Sequence, residues 1–184
     1  MLIGICGAAG SGKSTVARLL VEEHDFTRKP FAFRLKSMLS ALGVPANILD
    51  GTPEQKNESW AALDGKTPRH AMQTLGTEWG RDCMGKDFWV NLWARDYVSL
   101  PNTTRIVADD VRFPNEVSRI RELGGIVVRI VRPGAEKVAA DHASEKSDEL
   151  SVSFTLINAG DLEDLRKDVR QLVNNFSWAL EAIA

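Results

Sequence analysis

Residues 7–14 read GAAGSGKS, and they sit between a short apolar run, LIGIC at 2–6, and KSTVARLLVEEH, where Val16, Leu19 and Leu20 recur at helical spacing. A Gly-x-x-x-x-Gly-Lys-Ser segment between a strand and a helix constrains the fold more than any other stretch of this chain. Gly7, Gly10 and Gly12 let the backbone wrap, so that the N–H groups of Gly7, Ala8, Ala9, Gly10, Ser11, Gly12, Lys13, Ser14 and Thr15 can surround phosphate oxygens. Lys13 can bridge the β- and γ-phosphates, and Ser14 can ligate a Mg²⁺ that travels with ATP. A dinucleotide fingerprint also uses spaced glycines, but Gly-Lys-Ser-Thr at the helix start is not part of it.

A strand feeding such a loop implies a parallel sheet, and the chain continues in that pattern. Further strands are expected at KPFAF (29–33), TRIVA (104–108), GIVVRIV (125–131) and SFTLI (153–157), alternating with helices and ending in an amphipathic helix from Leu162. The expected fold is α/β, a P-loop NTPase three-layer sandwich with a five-stranded parallel sheet. One domain is expected over 1–184, with a core of 1–43 and 101–184, a helical insertion over 44–100 and a short lid over 132–151. Within the insertion, 44–66 reads as a polar stretch with Pro45, Gly51, Pro53 and Gly65, followed by helices at 67–82 and 88–98.

Composition narrows the class. A chain of 184 residues that is 43% hydrophobic can bury one sizeable core. A net charge of −2 gives no global footprint for stable nucleic-acid binding. Two cysteines, Cys6 and Cys83, make no disulfide framework and fit a reducing, cytoplasmic setting. No apolar run approaches the ~20 residues of a membrane span. His24, His70 and His142 are scattered and show no zinc spacing, so Mg²⁺ with ATP is the one metal implied.

The second part of a phosphoryl-transfer site is an acidic residue at a neighbouring strand end. RIVADDVRF offers Asp109 and Asp110, of which Asp110 is preferred for the Mg²⁺ shell; Asp109 serves equally well as a solvated strand end or helix cap. Arg112 follows, either as a substrate cation or as an ion pair with Asp109 or Glu116.

TPRHAMQTLGTEWGRD at 67–82 carries the signal for an acceptor. Met72, Leu75 and Trp79 form one helical stripe, while Arg69, Gln73, Thr77 and Arg81 recur every fourth residue on another side. Thr67 and Pro68 read as a cap and a first helical residue, which places Arg69 in a first turn where backbone N–H groups favour anions. A solvated arginine pair on a surface helix is the plain alternative. A hydroxyl acceptor needs a placed base, whereas a nucleoside monophosphate attacks through an ionised oxygen and needs cations to hold it beside the γ-phosphate. Arg69 and Arg81 suit the phosphate, and Gln73 and Thr77 the sugar or base. No Asn-Lys-x-Asp motif for reading guanine occurs late in the chain.

GAAGSGKST, TPRHAMQTLGTEWGRD, FWV, DDVRFPNE and DHASE, in this order, resemble the deoxynucleoside monophosphate kinases of tailed bacteriophages, P-loop enzymes related to the adenylate kinase group. The likeness runs from Gly4 to about Gly160. It implies ATP-dependent phosphorylation of deoxynucleoside 5′-monophosphates to diphosphates, in the host cytoplasm for a phage-encoded chain. It assigns Lys13 and Ser14 to ATP and Mg²⁺, Arg69, Gln73 and Arg81 to the acceptor, and Asp110 and Arg112 to the catalytic centre. It makes Arg132 a lid arginine or a solvated loop residue, and it brings Asn158, in NAG at 158–160, near adenine or leaves it in an ordinary turn. His142, Ser144 and Glu145 either close over the nucleotides or cap a turn. The lid departs from the adenylate kinase pattern, since 133–151 contains no arginine; Arg112, Arg129 or Arg132 must then supply the catalytic cation.

Of Trp60, Trp79, Trp89, Trp93 and Trp178, Trp79 and Trp178 read as packing residues and Trp89 as the candidate base platform. Two other functions stay open: a kinase for another small metabolite such as dephospho-coenzyme A, with Asp25 or Asp109 as base, and a nucleotide-dependent switch or accessory protein with no acceptor. A monomer and a homodimer are both compatible with the sequence.

Overall fold

The computed structural model describes residues 1–135 and 150–181, with side chains described up to 176. The expected lid beyond 135, with His142, Ser144 and Glu145, lies outside the described residues, as does the Trp178 side chain. The chain divides into two compact units, Met1–Pro30 with Val98–Ala184, and Phe31–Tyr97.

The first unit is built on five parallel strands in the order β2-β3-β1-β4-β5. The strands are β1 (Leu2–Cys6), β2 (Phe26–Arg28), β3 (Arg105–Ala108), β4 (Ile126–Val131) and β5 (Phe154–Ile157). β1 lies at the centre, pairing Ile3 with Val107 of β3 on one side and with Ile126 of β4 on the other. Helices α1 (Lys13–His24) and α8 (Leu162–Glu181) cover one face. There Val16, Leu19 and Leu20 meet Leu165, Val169 and Val173 over Ile3, Ile5, Val107 and Val128, all buried. The alternate residues of β1 face helix α7 (Pro114–Glu122), whose Ile120 is fully buried. The central strands, covered on both faces, read as continuous apolar runs and so are visible in the sequence; β5 is visible as well, although its Phe154 and Ile157 are exposed.

The second strand is displaced from its expected place. It occupies 26–28, where Phe26, Thr27 and Arg28 pair with Arg105, Ile106 and Val107, and the Lys29 N–H adds one bond to the Val107 carbonyl. Pro30 has no N–H to continue the ladder. The apolar residues of KPFAF belong instead to the helical unit, where Phe31 stacks on Trp93 at 4.4 Å between ring centroids.

That second unit contains α2 (Phe33–Ala41), α3 (Ala46–Leu49), α4 (Pro53–Asn57), a single 3₁₀ turn at Ala61–Leu63, α5 (Pro68–Thr74), a π-helical segment (Leu75–Met84) and α6 (Phe88–Val98). It begins at Phe31 rather than near 44, because Leu35 and Leu39 of α2 are buried with Val44, Leu49 and Trp89. The stretch 44–66 is more ordered than its polarity suggests. Thr52 and Gln55 form a capping box at the start of α4, and Leu49 is fully buried.

Candidate active site

The phosphate loop leaves the C-terminal end of β1, beside the point where the chain switches from building one side of the sheet to the other. Gly12, at φ 104°, turns the loop into α1 through a backbone region that other residues rarely occupy. Its missing Cβ also leaves room for Asn158, whose side-chain amide donates to the Ser11 carbonyl at 3.0 Å. Asn158 is thus a strut between the end of β5 and the loop, a role separate from the adenine contact expected for it. Ser11 is buried, and its hydroxyl oxygen has no hydrogen-bond partner among the described residues. Ser14 is exposed at the start of α1 and Thr15 half-buried.

Lys13 curls back over the loop, its Nζ donating to the carbonyls of Gly7 at 2.8 Å and Ala8 at 2.7 Å. Burial lowers its pKa to about 8, helped by the positive field of Arg112 and opposed by Cys6 and Asp109. Lys13, Arg112 and Asp109 therefore interact electrically at one end of the sheet.

Asp109 follows β3 with its side chain 5% exposed, and Oδ2 accepts from Arg28 Nε at 2.8 Å. Its other oxygen, Oδ1, is buried and has no hydrogen-bond partner among the described residues. Burying half a carboxylate without a partner is costly, so a missing positive or proton-bearing group is the natural complement. Asp110, preferred from sequence, is half-buried and engaged in interactions of its own. Arg112 is exposed; its backbone N–H and that of Phe113 both donate to Glu116, at 2.7 and 3.1 Å, so the buried glutamate caps α7. Arg132 is exposed immediately after β4. Arg129 donates through Nη2 to the Leu150 carbonyl at 2.6 Å.

In the helical unit, Thr67 caps α5 as expected, its Oγ1 accepting from the His70 N–H at 3.1 Å with Pro68 first in the helix. After Thr74 the chain becomes π-helical, with hydrogen bonds to i+5. Arg69 Nε donates to Asn57 Oδ1 at 2.8 Å and Arg81 Nη1 to the Lys86 carbonyl at 3.0 Å. Gln73 and Thr77 lie half-buried between them.

Trp89 is not a base platform. It is 5% exposed, its indole N–H donates to the Gly76 carbonyl at 2.9 Å, and its ring lies so close to Gly80 that a methyl group there would overlap it. Trp79, read as a packing residue, packs edge-on against Phe88 at 5.5 Å and is 36% exposed. Phe88, Asn91, Leu92 and Arg95 instead line an open pocket of about 520 Å³, to which Lys86 also belongs. Sequence reading missed that pocket, the Arg28–Asp109 pair and the Asn158 strut. Arg28 was hidden by the misplaced strand; the hydrogen bond from Asn158 to the loop spans 147 residues and leaves no local signal.

Among the described residues no cluster of three His, Cys, Asp or Glu side chains can hold a metal, and no helix is long and apolar enough to cross a membrane. A protein-family model described as deoxynucleotide monophosphate kinase matches residues 46–169. A protein of Acanthamoeba polyphaga mimivirus described as "Putative deoxynucleotide monophosphate kinase" is 33% identical over 192 residues, covering 96% of this chain and 98% of that protein. The deoxynucleotide monophosphate kinase of Enterobacteria phage T4 is 30% identical over 105 residues, 55% of this chain and 43% of its own length. The deoxynucleoside-5′-monophosphate kinase of Escherichia phage T5 is 24% identical, with 79% and 84% covered.

Proposed function

Because the chain belongs to the deoxynucleotide monophosphate kinase family, we propose that its two units divide one reaction between them, the sheet unit taking ATP and the helical unit taking the acceptor. The protein phosphorylates deoxynucleoside 5′-monophosphates, using the γ-phosphoryl of ATP. What carries the assignment of the ATP site is Lys13, held half-buried on its own loop by the Gly7 and Ala8 carbonyls at the end of the central strand. The ammonium exchanges those carbonyls for phosphate oxygens when ATP enters, while the loop N–H groups wrap its β-phosphate.

The acceptor attacks in line through a phosphate oxygen that is already ionised near neutral pH, so no residue has to remove a proton. The requirement is cations and alignment. We assign the acceptor phosphate to Arg69, in the first turn of α5. Arg81, bonded to the carbonyl of a pocket residue, goes with the sugar and base, together with Gln73, Thr77 and the pocket beside Phe88. Arg112, close enough to Lys13 to depress its pKa, is the cation placed to stabilise charge on the transferring group, and Arg132 is the second candidate.

The residues present also fit Mg²⁺ carried in with ATP, which keeps most of its shell as water and phosphate oxygens and asks little of the protein. Ser14 and the partnerless Oδ1 of Asp109 are the groups that fit it, and Asp109 replaces Asp110 as the preferred carboxylate. Bound there, the ion supplies neutralisation of charge on the β- and γ-oxygens.

The deciding experiment is ADP release from Mg-ATP with each deoxynucleoside monophosphate added singly and with none. The expected result is acceptor-dependent ADP with the matching diphosphate. ATP binding without turnover for any of them would overturn the reading.

A further inference from the structure

We propose that Arg28 is a positioning residue for metal binding, acting through Asp109. Its Nε donates to Asp109 Oδ2 at 2.8 Å across the ends of two adjacent strands, β2 and β3. That single contact has two effects. It supplies a countercharge to a carboxylate whose side chain is 5% exposed, and it fixes the rotation of the carboxyl group so that Oδ1, not Oδ2, is left for another ligand. The Arg28 side chain is itself 42% exposed, so the countercharge is provided without burying a second full ion.

The strand register makes the contact possible. Arg28 pairs with Val107, two residues before Asp109, and the Lys29 N–H continues the ladder to the Val107 carbonyl. A buried carboxylate aimed by an outer partner is how proteins raise the affinity of a metal site that offers few protein ligands. The inference rests on the reading of Asp109 as the carboxylate on the metal side.

The test is Mn²⁺ binding, read by loss of the free-ion electron paramagnetic resonance signal, in the presence of a non-hydrolysable ATP analogue. Arg28→Met is expected to weaken Mn²⁺ at least about tenfold, the usual cost of removing an outer partner of a metal ligand. Asp109→Asn should weaken it as much or more, and the double variant should be no weaker than Asp109→Asn alone. The KM for the deoxynucleoside monophosphate should not change in Arg28→Met. If that protein does not fold, Arg28→Lys carries the same comparison, keeping the charge and losing the Nε contact.

Mn²⁺ affinity unchanged in Asp109→Asn overturns the metal role of Asp109 and this inference with it. Loss in Asp109→Asn but not in the Arg28 variants overturns the inference alone. Additive losses, or a raised acceptor KM with intact metal affinity, would make Arg28 an independent ligand instead.

Discussion

The two candidate halves of the site are built by different means. In the phosphate loop, the groups proposed to meet ATP are mostly backbone N–H groups, and their placement follows from a short contiguous stretch between β1 and α1. In the helical unit they are side chains on α5 and the π-helical segment, and their directions depend on Trp89, which reaches them from another helix. A site made of main chain is readable from a motif and tolerant of its neighbours; one made of side chains is neither.

The sharpest break in that contrast is Lys13→Ala, where the loop depends on a side chain. Turnover should fall at least about 10²–10³-fold, the cost of losing one dominant charge stabiliser. The melting temperature should stay level or rise, because a desolvated ammonium is removed. Steady-state kinetics with a thermal melt checks both.

Next is Arg69→Ala, which tests whether the helical unit handles the acceptor alone. The KM for the monophosphate should rise about 10- to 100-fold, matching the ~1.5–3 kcal/mol of a charged hydrogen bond. The KM for ATP should hardly move, and equal effects on the two would remove the division of labour.

Gly80→Ala probes the side-chain-built region without touching a candidate ligand. The new methyl collides with the Trp89 indole, and overpacking of this kind costs about 1–3 kcal/mol. Thermal melts should show that loss, with the acceptor KM raised and ATP binding intact. Trp89→Phe is the milder version, removing one hydrogen bond to Gly76 at a cost near 1 kcal/mol.

Acidity separates the regions as well. With a pKa of about 8 in place of 10.5, Lys13 is charged in both folded and unfolded chains below pH 8, and its desolvation cost is then fully present. Between about 8 and 10.5 the unfolded chain binds the extra proton, so its contribution to stability improves as pH rises. ATP affinity should move the other way, falling above pH 8 as the ammonium is lost. Calorimetry of ATP binding at pH 8 in buffers of different ionisation enthalpy should show proton uptake, and Lys13→Arg should abolish it.

Legibility followed the same division. The loop, its strand and helix, and the Thr67 cap were all visible, because each is decided within a few residues. The second strand is misplaced because FAF looks like a buried strand, whereas Phe31 packs on Trp93 in the helical unit and Phe33 is exposed; only pairing with β3 distinguishes the two. The widening of the helix at Leu75 has no local signal in the sequence; in the fold it accompanies the close packing of Gly80 against the Trp89 ring. Asp109 and Asp110 are indistinguishable as neighbours in sequence. Arg28 separates them only when β2 lies against β3.

The strand order carries a consequence for how the chain is made. β1 is synthesised first, yet its partners are β3, whose Ile106 faces Leu2, and β4, whose Ile126 faces Ile3. During synthesis the strand that will bear the loop therefore waits, both edges open, while the helical unit is produced. Pairing across such a separation carries a large closure entropy, which growing the intervening chain raises slowly and folding it into a compact body reduces. A folded helical unit, interposed between β2 and β3, would thus have a task before any nucleotide arrives: it takes up the slack between the sheet's first strand and the first of its partners.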